Sequence, residues 1–207
     1  MSIKKLFHSI LTVVIPFGTT AVGLSMLFAS CEETEAIDEY ADWEVRNIEY
    51  LESIVDSAEA NADGKWLRIL SFKLDSINAE GDRVEYGIED YIYCHIESKG
   101  VGTEYPLFTD TISVNYRGRL IPTLSYPNGK VFDESYKGEF NPSINRPKEF
   151  VVNGLIVGWS TALMHMVEGD CWRIYVPANL GYGTEKSGDI PAYSTLIFDV
   201  NLVNSSL

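Results

Sequence analysis

The sequence predicts an α+β domain: a curved antiparallel sheet wrapped around one short helix, with a helical extension in front of it. Three observations carry this expectation. Leu196, Phe198, Val200 and Leu202 recur at every second position, the period of a strand with one buried face. Ile112, Val114 and Tyr116 do the same within the segment 110–120, with polar residues between them, as in a half-buried antiparallel strand. Between these segments lies one short stretch of helical periodicity, near 155–167, in which Trp159, Ala162/Leu163 and Met166 share a face. Many short strands and a single central helix bury their apolar faces most simply as a sheet folded over that helix.

The elements follow in order. Lys4 and Lys5 precede an uncharged apolar run from Leu11 to Ala29 that ends at Ala29-Ser30-Cys31. A basic start, an apolar middle and small residues before the break are the marks of a secretory signal. The run is long enough to suggest a membrane span, but Pro16 and Gly18 interrupt it. Small residues directly before a Cys resemble the lipobox of bacterial lipoproteins, in which Cys31 becomes the lipidated first residue; Phe28 is bulkier than usual there. The expected organisation is a signal peptide at 1–30, an acidic tether at 31–39, a helix-and-strand extension at 40–90 and the main domain at 91–204. Glu32, Glu33 and Glu35 resemble the acidic tag of some Bacteroidetes surface lipoproteins; a solvated tether explains them equally.

From Tyr40 to Ala60, Trp43, Ile48 (offset by one), Leu51, Ile54/Val55 and Ala58 approximate a helical stripe, which Asn61-Ala62-Asp63-Gly64 ends. This helix could serve as a spacer, a dimer face or a brace on the following domain. Strands are expected at 66–74 and 91–97, followed by a turn at Ser98-Lys99-Gly100-Val101-Gly102, then the strand at 110–120. Pro127-Asn128-Gly129 is a strong turn signal, which returns the chain as a strand at 130–133. A polar loop over 134–146 looks like an insertion. Short strands at 150–152 and 172–176 and the long one at 194–204 complete the set.

Composition excludes several functions. The formal net charge of −14 argues against nucleic acid as a partner. With Cys31 lipidated, Cys94 and Cys171 remain, in segments where a disulfide and two buried thiols are equally natural. His95 and His165 stand far apart in sequence, and no cluster has metal-ligand spacing, so neither a metal site nor a histidine-based mechanism is expected.

The segment from Ile92 to Val203 resembles the FKBP-type peptidyl-prolyl cis–trans isomerases, the immunophilins that bind macrolides. It carries the family's landmarks in order: SKGVG, VNYRGRL, GKVFDES, LIVGW, the M-x-x-G-D step, PANLGYG and IPAYSTLIFDVNL. The resemblance implies an FKBP-like fold and a pocket with Trp159 as its floor. Tyr116, Phe132, Leu155, Ile156, Ile190 and Phe198 would form the walls, and Asp133, Tyr182 and the Ile156 backbone N–H the polar groups. Asp133, Tyr182, Trp159 and Phe198 would be the catalytic set. The resemblance further implies proline-containing polypeptides as clients, assistance to the folding of exported proteins, a macrolide as a candidate ligand, and no cofactor. Lipidation would place the protein in the cell envelope, attached to the membrane by its N-terminal lipid.

Without the resemblance, Trp159 on a helix face and Phe198 in a strand would read as ordinary core residues. Asp133 and Tyr182 carry the functional reading, because polar groups beside an apolar pocket need partners. The chain also departs from the family. Lys148 stands where an aromatic wall residue is usual, Asp189 takes a commonly apolar place, and the links 150–155 and 182–190 are short. Arg146 is the candidate for the arginine that pairs with the pocket aspartate. These departures point to the alternative, a non-catalytic module of the same fold that binds peptide or serves only as structure.

Overall fold

The computed structural model describes residues 38–206. The expected signal peptide, the expected lipidation site Cys31 and nearly all of the expected tether lie outside the described residues. Helix α1 covers Trp43–Ala60 and strand β1 Trp66–Leu70. Strands β2 (Tyr91–Ser98), β3 (Thr111–Arg119), β4 (Val131–Glu134) and β5 (Lys148–Val151) follow. A 3-10 turn at Val152–Gly154 leads into helix α2, Val157–Leu163; strand β6 is Cys171–Val176 and β7 Leu196–Ser206. The seven strands form one sheet in the order β1-β2-β6-β7-β3-β4, with β5 also on β3, and every pairing is antiparallel. Strand β3 is the hinge of this arrangement: β7 runs along one side, while β5 and β4 share the other, at Thr111–Val114 and Arg117–Arg119. The expected α+β fold, a curved antiparallel sheet on a short helix, is what forms.

Strand alternation sorts side chains onto two faces. Ile92, Cys94, Ile174, Val176, Leu196, Phe198, Val200 and Leu202 turn toward α2 and make the larger core. Tyr93, Tyr175 and Ile197 point the other way and pack on Leu51, Ile54 and Val55 of α1. Both faces of the central strands are therefore covered, and the sheet is a middle layer between two helices. Cys94 and Cys171 are free thiols, and burial pushes the Cys94 thiol well above its ordinary range.

Two helix details differ from expectation. Ile48 is half exposed, and the buried residue of that turn is Asn47, 2 % exposed. Helix α2 is shorter than the predicted 155–167. It closes at Leu163 because the next amides bond three residues back, His165 N to Ala162 O at 2.8 Å and Met166 N to Leu163 O at 3.2 Å. Met166 is nevertheless fully buried.

Helix α2 lies hard against the sheet because one of its residues lacks a side chain. A Cβ on Gly158 would stand 2.4 Å from Val176 Cγ1, so any larger residue lifts the helix from β6. Overpacking of this kind costs about 1–3 kcal/mol. Gly158→Ala is expected to lose that much stability in denaturant unfolding; an unchanged midpoint would mean that α2 does not rest on β6.

Candidate active site

One cavity of about 450 Å³ opens between α2, β3, β4, β5, β7 and the connection 181–195. Tyr116 comes from β3, Phe132 and Asp133 from β4, Phe198 from β7. Leu155 and Ile156 are the two residues just before α2, Trp159 comes from α2 itself, and Tyr182 and Ile190 come from the connection. Every residue that the sequence placed in the pocket thus lines this one cavity. Trp159 is its floor: its ring meets Tyr116 at 5.1 Å, Phe198 at 5.1 Å and Phe150 at 6.0 Å, all edge-to-face. Phe132 stands edge-on to Phe198 at 5.5 Å. This closeness depends on Gly118 of β3, where a Cβ would meet both the Phe132 and Phe198 rings at 2.7 Å. The Trp159 indole N–H is buried and has no hydrogen-bond partner among the described residues.

Sequence reasoning missed Phe150, Gly154, Ser187 and Gly188, which also line the cavity; Asp189, the family departure legible in the sequence, lines it too. Phe150 had a legible signal. It lies two residues beyond Lys148 on β5 and so shares its face, which lets an aromatic wall survive one pleat along the strand. Lys148 itself is not a lining residue, and the aromatic wall usual at its position is absent. Asp189 keeps its carboxylate at the exposed lip.

The polar groups cluster at the rim. The Tyr116 hydroxyl donates to Asp133 Oδ2 at 2.5 Å, and Lys148 Nζ donates to the same phenol oxygen at 3.1 Å. Lys148 Nζ also stands 3.4 Å from Asp133 Oδ1 and 5.1 Å from the Tyr116 ring centroid. The cationic partner of Asp133 is accordingly Lys148 and not Arg146. Arg146 lies in the 134–146 loop, whereas Lys148 follows Pro147 into β5 and is carried by its strand to the site. Tyr182 is 42 % exposed and stands at the open side of the cavity. Ile156 has extended backbone (φ −60°, ψ 150°) ahead of α2, so its N–H precedes the first helical donor.

Burial, and next the hydrogen bond to Asp133, hold the Tyr116 phenol well above its usual range. Raised in the fold, this pKa makes the folded state retain a proton that the unfolded chain loses near pH 10, so stability falls as pH rises past that value. Burial likewise raises Tyr50, Tyr93, Tyr136 and Tyr175, so spectrophotometric titration should show several tyrosines ionising late, and Tyr116→Phe should remove the Tyr116 step from that set. Asp133→Asn should move it partway back, because the negative charge opposing the phenolate is gone while burial persists. Identical alkaline titrations in all three proteins would contradict this.

The family model described as FKBP-type peptidyl-prolyl cis-trans isomerase matches residues 102–203. Peptidyl-prolyl cis-trans isomerase Mip of Coxiella burnetii is 42 % identical over 100 residues, covering 48 % of this chain and 38 % of that protein. The FKBP-type peptidyl-prolyl cis-trans isomerase FkpA of Escherichia coli is 33 % identical over 150 residues, covering 72 % of this chain and 47 % of that protein. The chain thus spans less than half the length of these curated relatives. A crystal structure of a peptidyl-prolyl cis-trans isomerase from Pseudomonas syringae pv. tomato superposes with a TM-score of 0.51. It covers 83 % of this chain and 100 % of that one at 24 % identity, a likeness of fold.

Proposed function

We propose, from the premise that the chain carries an FKBP-type peptidyl-prolyl cis-trans isomerase domain over residues 102–203, that it catalyses cis–trans rotation about X–Pro bonds. The observation that carries the proposal is the aromatic cavity over Trp159, with Asp133 and Tyr182 at its lip. Rotation about an X–Pro bond faces an amide-resonance barrier of about 18–20 kcal/mol and takes tens to hundreds of seconds uncatalysed. The twisted transition state has lost that resonance, so its carbonyl and nitrogen are less dipolar than in the planar amide. An apolar site therefore favours it relative to water, and fixed polar groups hold the twisted geometry, which is differential binding of the transition state. No bond is made or broken, so the inventory needs no nucleophile.

In this reading the proline ring rests on Trp159 between Tyr116, Phe132, Leu155, Ile190 and Phe198. Asp133 and Tyr182 orient the imide carbonyl, with the Ile156 N–H as a further donor. Clients are proline-containing segments of exported proteins. The envelope location rests on the Leu11–Ala29 run and Ala29-Ser30-Cys31, with lipid on Cys31 holding the chain at the membrane. Among the described residues no helix is long and apolar enough to cross a membrane. The Lys148 contact to Asp133 favours a second reading, a peptide-binding module whose polar rim is already occupied. The same rim would govern whether a macrolide is accepted.

A protease-coupled isomerisation assay separates the two. The wild type should accelerate isomerisation, and Asp133→Leu and Tyr182→Phe should each lower kcat/KM about 10-fold, or about 1.4 kcal/mol, with thermal unfolding little changed. Trp159→Ala should lose both activity and stability, since it removes floor and packing together. A wild type without activity hands the case to the binding module, and unchanged rates in both polar variants leave desolvation as the sole cause.

Lipidation is tested separately in a bacterial host. Cys31→Ser should leave the membrane fraction and lose the mass added by lipid, since full modification is needed for a firm anchor. A variant that still fractionates with membranes would contradict the anchor.

A further inference from the structure

Helix α1 is bonded to the segment that closes the pocket. The connection 181–195 supplies Tyr182, Ser187, Gly188, Asp189 and Ile190 to the cavity. Internally it is tied by Ser187 N to Ile190 O at 3.0 Å and Tyr193 N to Gly183 O at 2.9 Å. Tyr193 takes φ +60°, a left-handed conformation that a residue with a side chain holds only when its surroundings fix it. Sheet pairing begins only at Leu196, opposite Val176. The two residues before it are held by α1 instead. Trp43 Nε1 donates to Ser194 Oγ at 2.9 Å, and Thr195 N donates to Asn47 Oδ1 at 2.8 Å. Asn47 is fixed in turn by its amide, which donates to Trp43 O at 2.6 Å, and Ser194 Oγ donates to Pro191 O at 2.7 Å. All four residues are buried, so neither bond is readily replaced by water.

We infer that Trp43 and Asn47 are positioning residues of the pocket: through Ser194 and Thr195 they set the place of Ile190 and the lip around it, so the site extends into the N-terminal helix. The inference rests on the isomerase reading for its kinetic consequence, but the structural coupling stands apart from it. A loosened wall weakens binding of the proline segment more than it weakens the apolar floor that favours the twisted bond. The defect should therefore fall on KM.

The test uses the full chain with Trp43→Phe, which keeps an aromatic ring and deletes the N–H, and Asn47→Ala, which orphans the Thr195 amide. Each should raise KM for a proline peptide about 3- to 5-fold with kcat changed less than about 2-fold, as for loss of one hydrogen bond that holds a binding wall. Hydrogen exchange at the Ser187 and Ile190 amides should quicken about 5-fold while β3 keeps its protection. Trp43→Phe combined with Ser194→Ala should shift KM no further than Ser194→Ala alone, because both remove the same bond. Should Asn47→Ala fail to fold, the Trp43→Phe pair decides. Unchanged KM together with faster exchange confined to α1 would overturn the inference. In an inactive wild type the isomerase reading falls, and exchange at Ser187 and Ile190 alone decides the coupling.

Discussion

The contact on which the rest depends is the one between Gly158 and Val176. With no side chain between them, α2 sits flush on β6, and the next residue, Trp159, is driven into the hollow of the sheet. There it meets rings from β3, β5 and β7, which arrive edge-on at 5.1–6.0 Å. Edge-to-face packing leaves concave space that a stacked cluster would fill. Gly118 applies the same logic on the sheet side, where its missing Cβ lets Phe132 and Phe198 close the wall. Two glycines thus let the helix and the rings close in around the cavity.

Electrostatics are kept to the edge of that cavity. Asp133, Tyr182, Lys148 and Asp189 are all at least partly exposed, so none bears the full cost of burying a charge. The Tyr116 hydroxyl is the link between the dry interior and this rim, since its ring packs on Trp159 while its oxygen bonds Asp133 and Lys148. The sheet's far face does different work. There α1 covers Tyr93, Tyr175 and Ile197, and Arg119 and Arg173 both pair with Asp199 across three neighbouring strands. A segment outside the matched family domain thereby completes the burial of the domain's own strands and reaches round to the pocket wall.

Much of this was legible because period-two alternation in β3 and β7 and the turn glycines are local signals. The pocket's aromatic residues were legible only through the family's motifs, since by pattern alone Trp159 and Phe198 are core residues. What stayed hidden is non-local. Asn47 carries no local signal, yet it and not Ile48 is the buried residue, because its partner is an amide 148 residues away. The Asp133 partner was assigned to Arg146, where a loop gives no register, while Lys148 is fixed by its pairing with Val114. The length of α2 was overestimated because apolar periodicity continues through Met166 after the hydrogen bonding has changed to three-residue spacing.

The central claim is that the cavity over Trp159 takes up an X–Pro bond and turns it. Exchange NMR on an isotope-labelled proline peptide, with the protein at substoichiometric concentration, observes both halves at once. Cross-peaks between the cis and trans forms should appear only when protein is present, and in the complementary spectrum of labelled protein the Trp159 indole and the Ile156 amide should shift on peptide addition. Absence of exchange, or shifts that bypass Trp159 and Ile156, would contradict it.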